Sequence, residues 1–185
     1  MISLRFEKYF HNNIYANRGM TLEDDINQTN EYYILQNIAL VYKKPTPIQV
    51  VQVEYPKNRI REAYFHEPST LDYTGIYQGN YIEFDAKETQ SKTSFPLSNI
   101  HTHQMKHIER VLYHGGIAFL IVRFSSLNLT YVLLGEDIVH FESTYHRKSV
   151  PLEYFKEHAF LVELKYAPRL DYIRIIDRII REVKK

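Results

Sequence analysis

The sequence predicts an α/β domain with a mixed sheet. Stretches of alternating residues and stretches with apolar residues every three or four positions follow one another along the chain. A short glycine-containing loop joins two strands near the centre, which makes at least one pair antiparallel. The length of 185 residues, 44% of them hydrophobic, suits one sizeable core.

The elements follow in order. Thr21 is a suitable N-cap, and Glu23, Asp24 and Asp25 fall in the first turn, where the helix dipole favours acids. Leu22, Ile26, Thr29 and Tyr33 repeat at three to four residues, so a helix is expected over 22–36. Residues 38–43 read as a short apolar strand, stopped by Lys44-Pro45-Thr46-Pro47. Residues 48–71 are ambiguous: 48–53 and 59–65 each fit a strand or a helix, with a turn at Tyr55-Pro56-Lys57-Asn58. Few compelling core positions occur there, so the segment is expected to project from the body.

Two strands are expected at 71–77 and 81–87, joined by Gln78-Gly79-Asn80. A helix beginning after Ser98 or Asn99 carries an apolar stripe that includes Ile100, His103, His107, Ile108 and Val111, and Gly115-Gly116 ends it. Strands at 117–124 and 130–134, a helix near 152–159 and a last helix from Asp171 to about Glu182 complete the chain.

Composition narrows the function. The absence of cysteine excludes disulfides, thiolate zinc sites and a cysteine nucleophile. Met1-Ile2-Ser3-Leu4-Arg5 lacks the apolar run of a secretory signal, and the longest apolar stretch, 117–122, is far short of a membrane span. A cytoplasmic protein with no membrane partner is therefore expected. The formal charge of +1 does not announce a nucleic-acid partner, but its distribution is suggestive. Lys43 and Lys44 adjoin, Lys57, Arg59 and Arg61 alternate, and Arg169, Arg174, Arg178 and Arg181 gather near the C-terminal end. Basic surface can thus lie on one face, with ordinary solvated charge as the alternative for any one cluster. The chain has 16 tyrosines and 10 phenylalanines. Tyrosine can stack on bases or bond phosphates, although half-buried core is its commoner place.

The candidate chemistry lies on the second central strand. Alternate strand residues share a face, so Glu83, Asp85 and Lys87 point one way and Ile82, Phe84 and Ala86 the other. A solvated strand face with cross-strand ion pairs is one reading. Asp72, thirteen residues before Asp85 and across the hairpin, supports another. Two acids on a rigid sheet can hold Mg²⁺, which takes oxygen ligands and keeps several waters. Lys87 adds a positive charge that can orient water or stabilise a phosphoryl transition state. His103 and His107, four apart on a helix, offer a rival zinc pair that lacks its remaining ligands.

Ordered blocks along the chain resemble the RecU-type Holliday junction resolvases of the PD-(D/E)xK nuclease superfamily. They are Arg18-Gly19-Met20-Thr21-Leu22-Glu23-Asp24-Asp25, Lys43-Lys44-Pro45-Thr46-Pro47, Ala63-Tyr64-Phe65, Tyr81-Ile82, Ala86-Lys87-Glu88-Thr89, Thr93-Ser94-Phe95-Pro96-Leu97, and Tyr166-Ala167-Pro168-Arg169 with Asp171-Tyr172-Ile173. They run from about residue 17 to residue 173. The resemblance implies a restriction-endonuclease-like mixed sheet flanked by helices, in a single nuclease domain over 1–185 with a stalk at about 45–69. It implies metal association for Thr70, Asp72, Asp85 and Gln104, and a transition-state role for Lys87, so that Asp72, Asp85 and Lys87 form the catalytic set. Glu23 and Glu83 are candidate outer-sphere partners. Arg18, Lys43, Lys44, Lys57, Arg59 and Arg61 are candidate DNA contacts. The family usually has Glu at position 85 and Asp at position 83, the reverse of this chain.

The implied activity is resolution of Holliday junctions in recombination and repair by paired symmetric nicks, with Mg²⁺ as cofactor and Mn²⁺ as the alternative. The implied partners are four-way junction DNA and a second copy of the chain in a homodimer, with room for a recombinase or a branch-migration helicase. Two other functions stay open at this point. One is a nuclease of the same fold with another DNA substrate. The other is a junction-binding protein with weak or no turnover, an option raised by the shorter acid at position 85.

Overall fold

The computed structural model describes residues 21–65 and 70–183. Its main sheet has six strands: β1 (Leu40–Lys43), β4 (Tyr73–Tyr77), β5 (Asn80–Thr89), β7 (Ile117–Phe124), β8 (Leu129–Leu134) and β10 (Phe160–Leu161), adjacent in that order. Only β5 and β7 run parallel; the other neighbours are antiparallel. The mixed α/β class is as the sequence predicts.

Helices cover both faces. Helix α1 (Leu22–Leu35) and helix α5 (Ile173–Val183) pack Leu22, Ile26, Tyr33, Ile173, Ile176 and Ile180 against Ile82, Phe84, Phe119 and Val132. Tyr73, Phe84 and Phe119 stack in sequence across three strands, with ring centroids 4.8 and 4.6 Å apart. The other face carries α2 (Thr102–Tyr113), α3 (Gly135–Tyr145) and α4 (Leu152–His158), whose Ile108, Phe141 and Phe155 cover Leu120, Val122 and Leu133. Alternation along β5 therefore sends Phe84 toward α1 and α5, and Glu83 and Asp85 toward α2. A small sheet of β6 (Ser94–Pro96) and β9 (Ser149–Pro151) ties the loop before α2 to the segment before α4. A parallel pair needs a crossover, and α2 supplies it between β5 and β7.

Thr21 caps α1 as expected. Its hydroxyl accepts from the Asp24 amide at 3.2 Å, and the Asp24 carboxylate accepts from the Thr21 amide at 3.1 Å. Glu88, on the face of β5 opposite Lys87, accepts from the Leu22 amide and joins the same helix end to the sheet. Beneath it the buried Asp25 receives both Arg123 and Arg169. Each guanidinium compensates a carboxylate that would be costly if left alone.

The ambiguous segment resolves into β2 (Ile48–Glu54) and β3 (Arg59–Phe65), a separate antiparallel ribbon closed by a 3₁₀ turn at Tyr55–Lys57. Nearly all its described side chains are exposed, so neither face shows the polar–apolar alternation that would identify a strand in the sequence. Three further differences have local causes. Helix α3 is absent from the sequence expectation because it starts at Leu134-Gly135 without a side-chain cap and buries few side chains. Helix α2 starts at Thr102, since a 3₁₀ turn at Leu97–Asn99 precedes it. The hairpin loop is one residue shorter, with Asn80 already paired to Tyr77. Among the described residues no helix is long and apolar enough to cross a membrane.

Candidate active site

The turn between β4 and β5 aligns the site. Gln78 and Gly79 alone join the strands, both at positive φ, 47° and 79°. Such two-residue turns match the twist of paired strands. The resulting register runs from Tyr77↔Asn80 to Tyr73↔Phe84. The ladder stops there, and Asp72, at the bend just before β4, lies close enough to Asp85 for its charge to act on that carboxyl. The Asp72 carbonyl accepts from the Lys44 amide at 2.7 Å, which holds this end of the hairpin against the chain leaving β1.

Asp85 is fully buried. Its Oδ2 accepts from the side-chain amide of Gln104 and lies 3.2 Å from Lys87 Nζ. Its Oδ1 has no hydrogen-bond partner. Burial pushes the carboxyl from its ordinary 3.8 up to about 6; the Lys87 ammonium pulls it down, and the charge on Asp72 pushes it up again. The half-buried Asp72 and the largely buried Lys87 thus share one electrostatic field with Asp85.

Gln104 has a double attachment. It is the third residue of α2, and its Oε1 accepts from the His101 amide at 3.1 Å in a capping box. Its nitrogen is therefore the end that faces Asp85. In this arrangement Gln104 holds the acid in place, and to offer its oxygen to a cation it has to turn its amide over. Thr70 is half-buried and directs its hydroxyl to the Leu71 carbonyl at 3.4 Å.

The outer-sphere candidates are occupied elsewhere. Glu23 is exposed and pairs with Lys43. Glu83 is fully buried and receives Lys44, the Tyr81 hydroxyl at 2.6 Å and His107 Nε2 at 2.8 Å. Burial pushes its carboxyl up, but those three donors outweigh burial and hold it below its ordinary range. The sequence shows an acid facing the core here but not its partners, because Lys44 and His107 come from segments 39 residues before it and 24 after.

Of the candidate DNA contacts, Lys43 and Lys44 are the two cations of those pairs. Lys57 and Arg61 share Glu54, at 3.1 and 3.3 Å. Arg59 is exposed and has no ion pair among the described residues. Arg18 lies outside the described residues.

The donors at Asp72 and Asp85 are hard oxygens, and the orphaned Oδ1 is a buried acceptor in want of a positive partner. Together they fit a small hard divalent cation such as Mg²⁺ or Mn²⁺. Among the described residues no three His, Asp or Glu side chains gather into a tighter cluster, so such an ion would keep several waters. The zinc pair does not form: His107 is bonded to Glu83, while His103 stacks on His101 with ring centroids 5.4 Å apart.

Comparison with known proteins places the chain in a family. The RecU family model, described as recombination protein U, matches residues 17–178. A protein named Holliday junction resolvase RecU from Geobacillus kaustophilus (strain HTA426) is 52% identical over 171 residues, covering 89% of this chain and 86% of the relative. Its namesake from Geobacillus thermodenitrificans (strain NG80-2) is 51% identical over 174 residues, covering 89% and 85%. The one from Bacillus thuringiensis (strain Al Hakam) is 50% identical over 171 residues. With a family match over most of its length and half of its residues shared with such relatives, the chain belongs to the RecU family.

Proposed function

We propose that this chain is a Holliday junction resolvase that hydrolyses phosphodiester bonds at Asp72, Asp85 and Lys87 with the help of a divalent metal ion. The observation that carries the site assignment is the buried Asp85, with one oxygen unpartnered, beside Lys87 and within the field of Asp72. Asp72 and Asp85 would hold the cation, which supplies Lewis acidity toward water and phosphate. Lys87 presents a fixed positive charge on the same face, where it can orient the attacking water and offset charge building on the phosphate. Gln104 fixes the Asp85 carboxylate, and α2 excludes bulk water from one side of it. Resolution needs two matched nicks, and a two-fold dimer presents two copies of the site to a two-fold-symmetric substrate. We place the protein with its DNA in the cytoplasm.

The test is incubation of the purified protein with a labelled mobile four-way junction. Paired symmetric nicks are expected with Mg²⁺ or Mn²⁺ and none in EDTA. Cleavage in EDTA overturns the metal, equal cleavage of linear duplex overturns junction selectivity, and binding without cleavage under either ion overturns the nuclease.

The ribbon extends the reading to substrate choice. A two-stranded hairpin alone is marginal in water, and this one exposes Ile48, Val51, Tyr55, Ile60 and Tyr64. Exposed apolar groups flanked by Lys57, Arg59 and Arg61 suit contact with unstacked bases and phosphates at a junction centre. Replacing Arg59 and Arg61 with alanine is expected to weaken junction binding about tenfold and duplex binding less. The salt slope should fall by roughly one to two. Arg59→Ala alone should account for most of it, since Arg61 is shared with Glu54. Titrations of both substrates at several salt concentrations check this; equal losses on both count against a ribbon that reads the junction.

A further inference from the structure

A cavity of about 720 Å³ opens on the same face of the sheet as Asp85, between the start of β5 and the last turns of α2. Tyr81, Glu83, His107, Arg110 and His114 line it, with Gly115 and Gly116 beside them. It lies beside the candidate active site, along the same strand and helix. Gln104 reaches Asp85, and His107, one turn further along α2, reaches Glu83, two residues back along β5.

Its electrostatics favour an anion. Glu83 is the one carboxylate among the lining residues, and it is fully buried and neutralised by Lys44. Arg110 is exposed and has no ion pair among the described residues. His107, Arg110 and His114 are spaced three and four apart, so they project from one side of the helix. Three of the carbonyls at the end of α2 are already taken. The amides of His114, Gly115 and Gly116 bond the carbonyls of Arg110, Leu112 and Val111 at 2.9 to 3.1 Å. A side-chain carbon added at Gly115 would meet nothing within 4 Å, so the rim borders open space. The arginines of α5 cannot compete for the same ligand: they belong to the helix on the opposite face, and Arg181 is already paired with Asp177.

We propose that this cavity is a subsite for a backbone phosphate of the strand being cut, with Arg110 as its main contact and His114 as a further donor. The proposal rests on the nuclease reading. Tyr81 precedes Asp85 by four strand residues, about 13 Å at ~3.3 Å per residue. Because a strand winds round its axis as it rises 3.4 Å per nucleotide, its successive phosphates lie roughly 6–7 Å apart, so the phosphate held here lies about two nucleotides from the scissile one.

Phosphate-ethylation interference on a four-way junction in EDTA tests it, with wild type, Arg110→Gln, Arg110→Lys and His114→Gln. Wild type should show interference at one phosphate about two nucleotides from the cut. Arg110→Gln should lose that signal, bind roughly five- to tenfold more weakly and show a salt slope lower by about one. Arg110→Lys should recover the slope, and His114→Gln should weaken the same signal without moving it. An unchanged interference pattern and slope in Arg110→Gln overturns the subsite. So does a loss of affinity with the signal at that phosphate retained. Failure of the nuclease reading looks different: wild type then leaves the junction uncut with Mg²⁺ and Mn²⁺.

Discussion

Asp72→Asn and Lys87→Ala are each expected to reduce cleavage of a mobile junction by at least about 10²–10³-fold, the scale on which loss of one transition-state stabilising group is felt. Junction binding should stay within about threefold. Asp72→Asn removes a carboxylate charge that acts on Asp85 from the end of the hairpin. Lys87→Ala removes the ammonium 3.2 Å from Asp85. Neither residue supplies much binding, because affinity for DNA comes mainly from many phosphate contacts spread over the surface. Gel-shift and cleavage assays on one substrate separate the two effects. Cleavage retained by either variant sinks the assignment of the site. A collapse of binding in both would move these residues from chemistry to substrate grip.

Asp85→Asn should be inactive and, without metal, more stable than wild type at neutral pH. Asp85 has a folded-state pKa of about 6 against 3.8 for the free carboxyl, chiefly because it is buried. Since the folded value is the higher one, the stabilisation is complete below pH 3.8 and is lost as pH rises through about 6. At pH 8 the folded protein carries a buried carboxylate at a cost of up to roughly 3 kcal/mol, taking about 1.4 kcal/mol per pH unit. Asparagine cannot ionise, so the variant avoids that cost. For a chain of this size the melting temperature in EDTA at pH 8 should rise by roughly 3–8 °C, and the gap should shrink at pH 5. Millimolar Mg²⁺ or Mn²⁺ should raise the wild-type melting temperature and leave the variant unmoved, because an ion that binds only the folded state stabilises it by mass action. Thermal melts at the two pH values, with EDTA and with metal, give all four comparisons. A variant less stable than wild type at pH 8 in EDTA refutes the account.

Much of this site is legible before any coordinates. Alternation along β5 puts Asp85 and Lys87 on one face, and the distance across a short hairpin brings Asp72 near. Both inferences use only strand periodicity and turn length. The cap at Thr21 and the buried stripe of α1 are equally local. What escapes is whatever depends on distant segments or on the orientation of a side chain. The sequence marks Gln104 through the family resemblance as a metal residue. Its amide direction follows instead from the His101 backbone, which takes the oxygen and leaves the nitrogen for Asp85. Glu83 looks like a third acid of the site but faces Lys44 and His107. The ribbon defeats pattern reading because exposure on both faces erases its periodicity, and α3 does so by starting on an uncapped glycine.

The Gln78–Gly79 turn constrains how this protein can change over generations. Substitution at the acids trades a methylene of reach and leaves the frame intact. Insertion or deletion of a single residue within either paired strand between Asp72 and Asp85 does not. Successive strand residues point to opposite faces, so a shift of one position carries the partner acid to the wrong side of the sheet, however well the side chains themselves are preserved. The spacing of thirteen residues is therefore a ruler as binding as the identities it separates. A lineage that keeps Asp72, Asp85 and Lys87 but slips one strand by a single position keeps the letters of the site and loses the site.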